Sequence, residues 1–465
     1  MVKQGVIIRE GAMDWQIFQQ EDDGRADIPL AGEYYPVNLP EGAQATVWAR
    51  VVHESTGEEI VPWTQGETPD DRTWRLVLRG VPAGGLYRLE TQLRTGNPEA
   101  LNRGDMIFHV GVGDVFLIAG QSNAAGRCKD PVNDPPEPGV HVRRNSGKWD
   151  MATPMMNETT DTRYTGHYEP RSPGYSPYMH FGKYLKEALG YPIGLIPSAS
   201  GGSPLRQWNP AQDGDLYENM LNILRDYGGK LKAVAWYQGC ADGFEYSGDD
   251  YLERFSHFVS CVRRDLNQPD LPFLTVQINR CTFQTSPEFD EHWGKVREAQ
   301  RQAAKVLDHV TVVPSIDLKL YDYIHNSAAS GLMVAERSAK AALGTIYGRE
   351  DVEWRAPEVG SVRRIGDKRL RMEFKNVVRG LNMFMMPAEL LPFTIVDGEG
   401  EIKILSYEQV ETVHEMSEPA LTLTLEREPR EGAVIHGAWQ MNPTGLIPCE
   451  WGGQPMLAFY GLPIE

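Results

Sequence analysis

Residues 111–348 predict a doubly wound α/β domain with a mostly parallel sheet, and the chain on either side predicts β-sandwich-like regions. Three observations carry this. Through the middle of the chain, short wholly apolar runs alternate with helix-like segments, the rhythm of strands buried on both faces and joined by crossover helices. Before and after it, apolar and polar residues alternate one by one between turn-rich pieces, as in half-buried antiparallel strands. The 465 residues also exceed what one core ordinarily organises. The predicted divisions are 1–110, 111–348 and 349–465.

In chain order, the N-terminal strands are read at Ala45 to Val52, Trp74 to Leu78 and Tyr87 to Leu93. Glu54-Ser55-Thr56-Gly57 and Pro82-Ala83-Gly84-Gly85 mark tight connections. The central strands are Val115 to Ala119, Ile193 to Pro197, Ala233 to Tyr237, Phe273 to Ile278 and Val310 to Val313. Helical patterns lie between them at Tyr178 to Ala188, Leu216 to Tyr227, Tyr251 to Leu266 and Trp293 to Val306. A last helix, Ser327 to Tyr347, closes the unit. The interval Cys128 to Ser176 has no clear period, and both a wall of the site and a plain surface excursion are open for it. The β texture returns at Arg369 to Phe374, Phe393 to Val396, Ala420 to Leu425 and Leu457-Ala458-Phe459-Tyr460.

Composition excludes several classes of function. The 64 acidic against 46 basic residues give a formal charge of −18, which repels phosphate backbones, so no nucleic-acid partner is expected. No apolar run approaches the length of a membrane span, so no membrane association is expected. The start of the chain lacks a secretory signal's apolar stretch, and the five scattered cysteines have neither disulfide-frame nor zinc spacing. These readings predict reduced thiols, a cytoplasmic location, no metal and no cofactor. Oligomeric state is open, with a homodimer as the first alternative.

The stretch that predicts chemistry is Gly120-Gln121-Ser122-Asn123, at the end of the Val115 to Ala119 strand. A serine there sits where open α/β sheets place their ligands, and small residues after it allow a tight turn into a helix. Position 124 is Ala, so the motif is not the G-x-S-x-G elbow. Among eleven histidines, His325 stands in Asp322-Tyr323-Ile324-His325, on the loop after the last predicted strand. A carboxylate three residues before an imidazole can accept a hydrogen bond from its Nδ1–H and leave Nε2 as a base toward serine. The alternative for this loop is a turn near a helix cap at Ser327. Ser198-Ala199-Ser200-Gly201-Gly202-Ser203 follows another strand, and paired glycines let a backbone N–H approach a ligand oxygen. Gln121 and Asn123 are read as holding the serine turn and, with Arg127, Arg206 and Trp208, as candidate substrate contacts, with a structural cap on the glycine loop as the equal alternative for Trp208.

Taken in order, these stretches and Trp236-Tyr237-Gln238-Gly239 resemble the blocks of the SGNH hydrolases, in particular the carbohydrate-esterase branch that includes the sialate O-acetylesterases. The resemblance covers Gly113 to Tyr347. It implies a three-layer flavodoxin-like α/β/α domain and catalytic roles for Ser122, Asp322 and His325. It also implies an oxyanion hole from Ser122 N–H, an amide of Gly201 or Gly202, and the Gln238 side chain. The branch's Trp-x-Gln-Gly-Glu departs here, with Cys240 where Glu is expected. Arg297-Glu298-Ala299-Gln300 matches a run common in these esterases and is read as packing. The implied substrate is an acetylated mono- or oligosaccharide, 9-O-acetyl sialic acid first, with Arg127 or Arg206 as cations for its carboxylate. Esterases of neutral xylan-, mannan- or pectin-type oligosaccharides are the nearest alternative. Others are an inactive carbohydrate-binding protein and a lipid or thioester hydrolase.

Overall fold

The computed structural model describes all residues except 1–3, 38, 40, 70–71, 96–101, 158–159, 168–172, 285, 411–418 and 452, so the first three residues of the amino-terminal stretch read above lie outside it. The long strand Asn102–Gly120 is its axis. Val115, Phe116, Leu117, Ile118 and Ala119 are all buried, as an apolar run flanked on both sides requires. Ile193–Pro197 pairs in parallel on one side, from Ile193 opposite Asp114 to Pro197 opposite Ile118. Ala233–Tyr237 pairs in parallel on the other, ending with Tyr237 opposite Gly120. Phe273–Val276 and Val310–Val313 extend that side, also in parallel. The chain thus leaves to one side of the axial strand and later returns on the other. This topological switch opens a crevice beyond the strand's carboxyl end, and right-handed crossovers put helices on opposite faces.

Local chemistry explains where the helices begin. Ser176 caps Pro177–Leu189 by accepting the Tyr178 N–H, with Pro177 in the first turn and Gly190 in the left-handed region at the far end. Pro287–Val306 starts six residues before the apolar period does, because Ser286 accepts the Phe289 N–H and Pro287 sets the first turn. Ser327 likewise accepts the Ser330 N–H and caps Ala328–Thr345. The aperiodic interval 128–176 contributes two strands that its sequence does not signal. Val140–Arg143 joins the sheet in parallel beside Ile193–Pro197, and Trp149–Met151 pairs antiparallel to it at the edge. Polar His141 and Arg143 inside a four-residue strand mask its period. Burial pushes His141 down to about 4, and its Nδ1 meets the Trp15 carbonyl.

The flanking regions are β-rich. Before the α/β sheet, Gly5–Glu10, Arg25–Tyr35 and Thr73–Pro82 form one sheet, facing a second that contains Thr46–His53, Glu59–Gln65 and Gly84–Arg94. They share one core that includes Val47, Trp74, Leu89 and Val110. The second of these sheets continues through Asn102–Gly120 into the parallel sheet, so the division at 110/111 falls inside a single strand. Ile17–Gln19 also pairs with Gly111 to Gly113, and Gln19 bonds both Asp114 and the Val115 N–H. Beyond the last helix, two four-stranded antiparallel sheets enclose a core that includes Leu370, Ile395, Leu421 and Ile435.

Candidate active site

The serine turn exists because Gly120 does. Its φ is +123°, and a β-carbon there would lie 2.3 Å from the Tyr237 carbonyl oxygen, so only glycine lets the two strand ends meet. Ser122 then opens the short helix Ser122–Ala125 at 6% exposure. It lines a cavity of about 570 Å³ together with Gln121, Arg127, Gly201, Gly202 and His325. Gly202 turns with φ +72° and nothing near its missing side chain, so its backbone borders open space. Among the described residues the lining holds one histidine, His325, one arginine, Arg127, and one carboxylate, Glu245.

The Asp322 carboxylate builds the histidine loop around itself. One oxygen accepts the backbone N–H groups of Ile324 and His325 at 2.9 and 2.7 Å, and the other meets His325 Nδ1 at 2.7 Å. Partial burial pushes its pKa up, but those amides and the imidazole outweigh it and hold the carboxyl below the usual aspartate range. With Nδ1–H donated to this carboxylate, Nε2 is the acceptor left for a hydroxyl.

Buried amides hold both neighbours of His325. Asn279 donates to the Ile324 carbonyl at 2.9 Å and to Asn326 Oδ1 at 2.8 Å. Asn123, immediately after Ser122, accepts the Asn326 N–H at 3.1 Å and donates to the Ile324 carbonyl at 3.4 Å. Asn326 donates to Tyr237 Oη, and the Cys128 thiol, pushed up to about 12 by burial, donates to the Asn326 carbonyl. Asn123 therefore links the serine turn to the histidine loop, and Asn279 ties that loop to the end of Phe273–Val276. Buried Arg297 donates in turn to the Asn279 carbonyl at 2.8 Å and to the carbonyls of Ala438 and Trp439, carrying the support into the C-terminal region. Burial lowers its pKa to about 9.

Several residues expected at the site are placed elsewhere. Gln238 is fully buried and does not line the cavity. Its amide nitrogen donates to the Ser203 carbonyl and to Asp242, while its oxygen accepts from Tyr251. Both N–H groups are thus engaged by Ser203 and Asp242 in this structure, away from the lining where the sequence places an oxyanion donor. Burial pushes the Asp242 carboxyl up, and that carboxyl also accepts the Leu205 N–H, so it fastens the loop after Ile193–Pro197 to the end of Ala233–Tyr237. Trp208 is likewise buried, with its indole N–H on Ser203 Oγ, so it braces the glycine loop from behind. Arg206 faces outward, bound to Asp213 and Glu245, and is not in the lining. Asn123 is buried in the clamp just described and is no substrate contact. Gln121 does line the cavity. Its side-chain oxygen accepts the Gly239 and Ala241 N–H groups at 3.0 and 3.3 Å, which turns the amide nitrogen away from them. Cys240 lines the cavity at 1% exposure, and burial raises its thiol far above the ordinary value.

Asn279 and Asn326 were not anticipated from the sequence. The available signals were Asn326's adjacency to His325 and a Gln277-Ile278-Asn279 tripeptide at a parallel strand's carboxyl end, where such sheets put functional polar groups.

A family model described as carbohydrate esterase, sialic acid-specific acetylesterase matches residues 112–344, half of the chain. A probable carbohydrate esterase of Arabidopsis thaliana is 33% identical over 208 residues, covering 40% of this chain and 74% of that protein. The human sialate O-acetylesterase is 27% identical over 266 residues, covering 49% of this chain and 48% of that protein, so the chain spans about half of its length. Among solved structures, a carbohydrate acetylesterase from Xanthomonas citri has the same fold, with a TM-score of 0.66 at 20% identity over 96% of this chain and 97% of that one. The chain belongs to the SGNH-type carbohydrate esterases, in the family described as carbohydrate esterase, sialic acid-specific acetylesterase.

Proposed function

We propose that this protein is a serine esterase that removes O-acetyl groups from sugars, with acetylated sialic acid as the first substrate to test. One observation supports this reading above the rest. Ser122 and His325 line one cavity at the switch point, with the imidazole Nδ1 2.7 Å from the Asp322 carboxylate. In this mechanism His325 Nε2 takes the Ser122 hydroxyl proton as Oγ attacks the acetyl carbonyl. The developing oxyanion is held by the Ser122 N–H and an amide of the Gly201-Gly202 turn, without Gln238. His325 passes the proton to the departing sugar oxygen, leaving an acetyl-enzyme. Water, deprotonated by His325, then releases acetate and restores the serine.

The cation for a sialate carboxylate is Arg127, since Arg206 lies outside the lining and is engaged by Asp213 and by the cavity-lining Glu245. Glu245 in the lining favours a second reading, acetylated neutral oligosaccharides, because its carboxylate, paired with Arg206, offers a sugar hydroxyl an acceptor. Acetate release from 9-O-acetyl sialic acid and from acetylated xylo- and manno-oligosaccharides separates them. Sialate specificity predicts that Arg127→Ala raises KM for the sialic acid roughly tenfold, as loss of a charge-assisted bond does, and spares neutral sugars. Release of acetate from none of these substrates refutes the esterase reading.

A further inference from the structure

The cavity does not end at its acetyl-binding floor. Tyr323 and Phe244 line one side, and from them a file of aromatic rings runs outward over the surface. Phe283 sits 5.6 Å from Tyr323 and 6.1 Å from Phe244, between ring centroids. Phe244 packs edge-on against Phe289 at 5.4 Å, and Tyr246 stacks on Phe289 at 5.2 Å with the planes 3° apart. Tyr246, Phe283 and Tyr323 are 48%, 50% and 50% exposed, far more than core rings and contiguous where single surface hydrophobics are normally scattered. Tyr246 keeps this place with φ +55°, a backbone region that a bulky residue occupies only at a cost the surrounding fold must offset.

We infer that this ridge is an extended subsite for the sugar chain attached to the acetylated residue, so that the preferred substrate is an oligosaccharide rather than a free monosaccharide. The inference rests on the esterase reading above for the position of the acetyl group. Pyranose rings have apolar C–H faces and polar edges, and the ridge has the matching composition. Two of its exposed rings, Phe283 and Tyr323, lie 5.6 Å apart, and Phe244 and Phe289 connect them to the third, Tyr246. Polar groups flank them: Glu245, paired with Arg206, beside Phe244, and His292 5.4 Å from the Tyr246 ring. A fatty acyl chain laid on the same path would set those polar groups against hydrocarbon, which is unfavourable. Tyrosine at the rim suits a surface that is apolar on one side and wet on the other.

Wild type, Phe283→Ala and Tyr246→Ala are compared on p-nitrophenyl acetate and on two length series. These are acetylated xylo-oligosaccharides of one to six units, and 9-O-acetyl sialic acid free or as the terminal unit of sialyllactose. In the turned-over series, wild-type kcat/KM is expected to rise with chain length by roughly tenfold, the loss typical when an aromatic anchor is truncated. Both variants are expected to lose that rise while hydrolysing p-nitrophenyl acetate at the wild-type rate. A wild type indifferent to chain length, or variants that keep the rise, overturns the inference and leaves the esterase reading intact. So does a loss confined to long-chain acyl esters such as p-nitrophenyl octanoate, which would make the ridge an acyl surface. Calorimetric binding of unacetylated xylohexaose and sialyllactose reads the ridge independently of catalysis: weaker binding by both variants supports it, and no binding by wild type contradicts it.

Discussion

The floor and the rim of the cavity are built on opposite terms. Beneath the floor and outside the lining, Asn123, Gln238, Asp242, Asn279 and Asn326 are buried, and their side chains bond to one another, to backbone or to neighbouring hydroxyls. Such a network has one low-energy arrangement, because each broken bond leaves a polar group stranded in a low-dielectric interior. At the rim, Tyr246, Phe283 and Tyr323 are exposed and Arg206 is half-buried, and their contacts are ring packing and solvent-facing ion pairs of small worth. The difference assigns precision to the floor, where an ester must be held within reach of a serine. It assigns tolerance to the rim, where sugar chains vary.

The comparison can be broken at several levels. The largest effect is expected from Ser122→Ala, which should lower kcat by roughly 10⁴-fold or more while leaving thermal stability close to wild type. Asp322→Asn follows, with a loss of about 10²–10⁴-fold in kcat, because the imidazole loses the acceptor that sets its tautomer and orientation. Asn279→Ala strands Asn326 Oδ1, leaves the Ile324 carbonyl only the longer Asn123 bond, and should cost about 1–3 kcal/mol in chemical denaturation. Gln238→Ala sharpens the floor's assignment. An oxyanion donor would give up about 10²–10³-fold in kcat at unchanged stability. The buried network predicts instead a stability loss of about 2–3 kcal/mol and a change in kcat per folded molecule of less than about tenfold.

The smallest effect concerns acid. The Asp322 carboxyl is held below its ordinary 3.8 in the folded state, so its bonds contribute fully above that pH and are lost as pH falls further through the folded value. Unfolding titrations of wild type and Asp322→Asn should therefore differ by a constant amount above about pH 4 and converge below it.

The sequence shows the floor's backbone more readily than its side chains. Ile193–Pro197 and Ala233–Tyr237 match their apolar runs residue for residue, because a strand buried on both faces has no polar position to blur its ends. Val140–Arg143 escapes for the converse reason, with a histidine and an arginine buried inside four residues. The Asp322–His325 contact follows from local spacing, since three residues close the loop. Gln238 shows where such reasoning stops. Its place at a strand end is evident, but which way the side chain points depends on Asp242 and on Ser203, 35 residues away in sequence. The carboxylates near other histidines are equally non-local. Asp134 meets His180 across 46 positions, a pairing no short spacing announces.

The most direct test of the central claim is covalent. Treatment with a fluorophosphonate ester, followed by peptide mapping, should place a single adduct on Ser122. Its formation should slow sharply in His325→Ala and parallel the loss of acetate release from acetylated sugars. An adduct on another residue, or acetate release that persists in Ser122→Ala, would contradict the account.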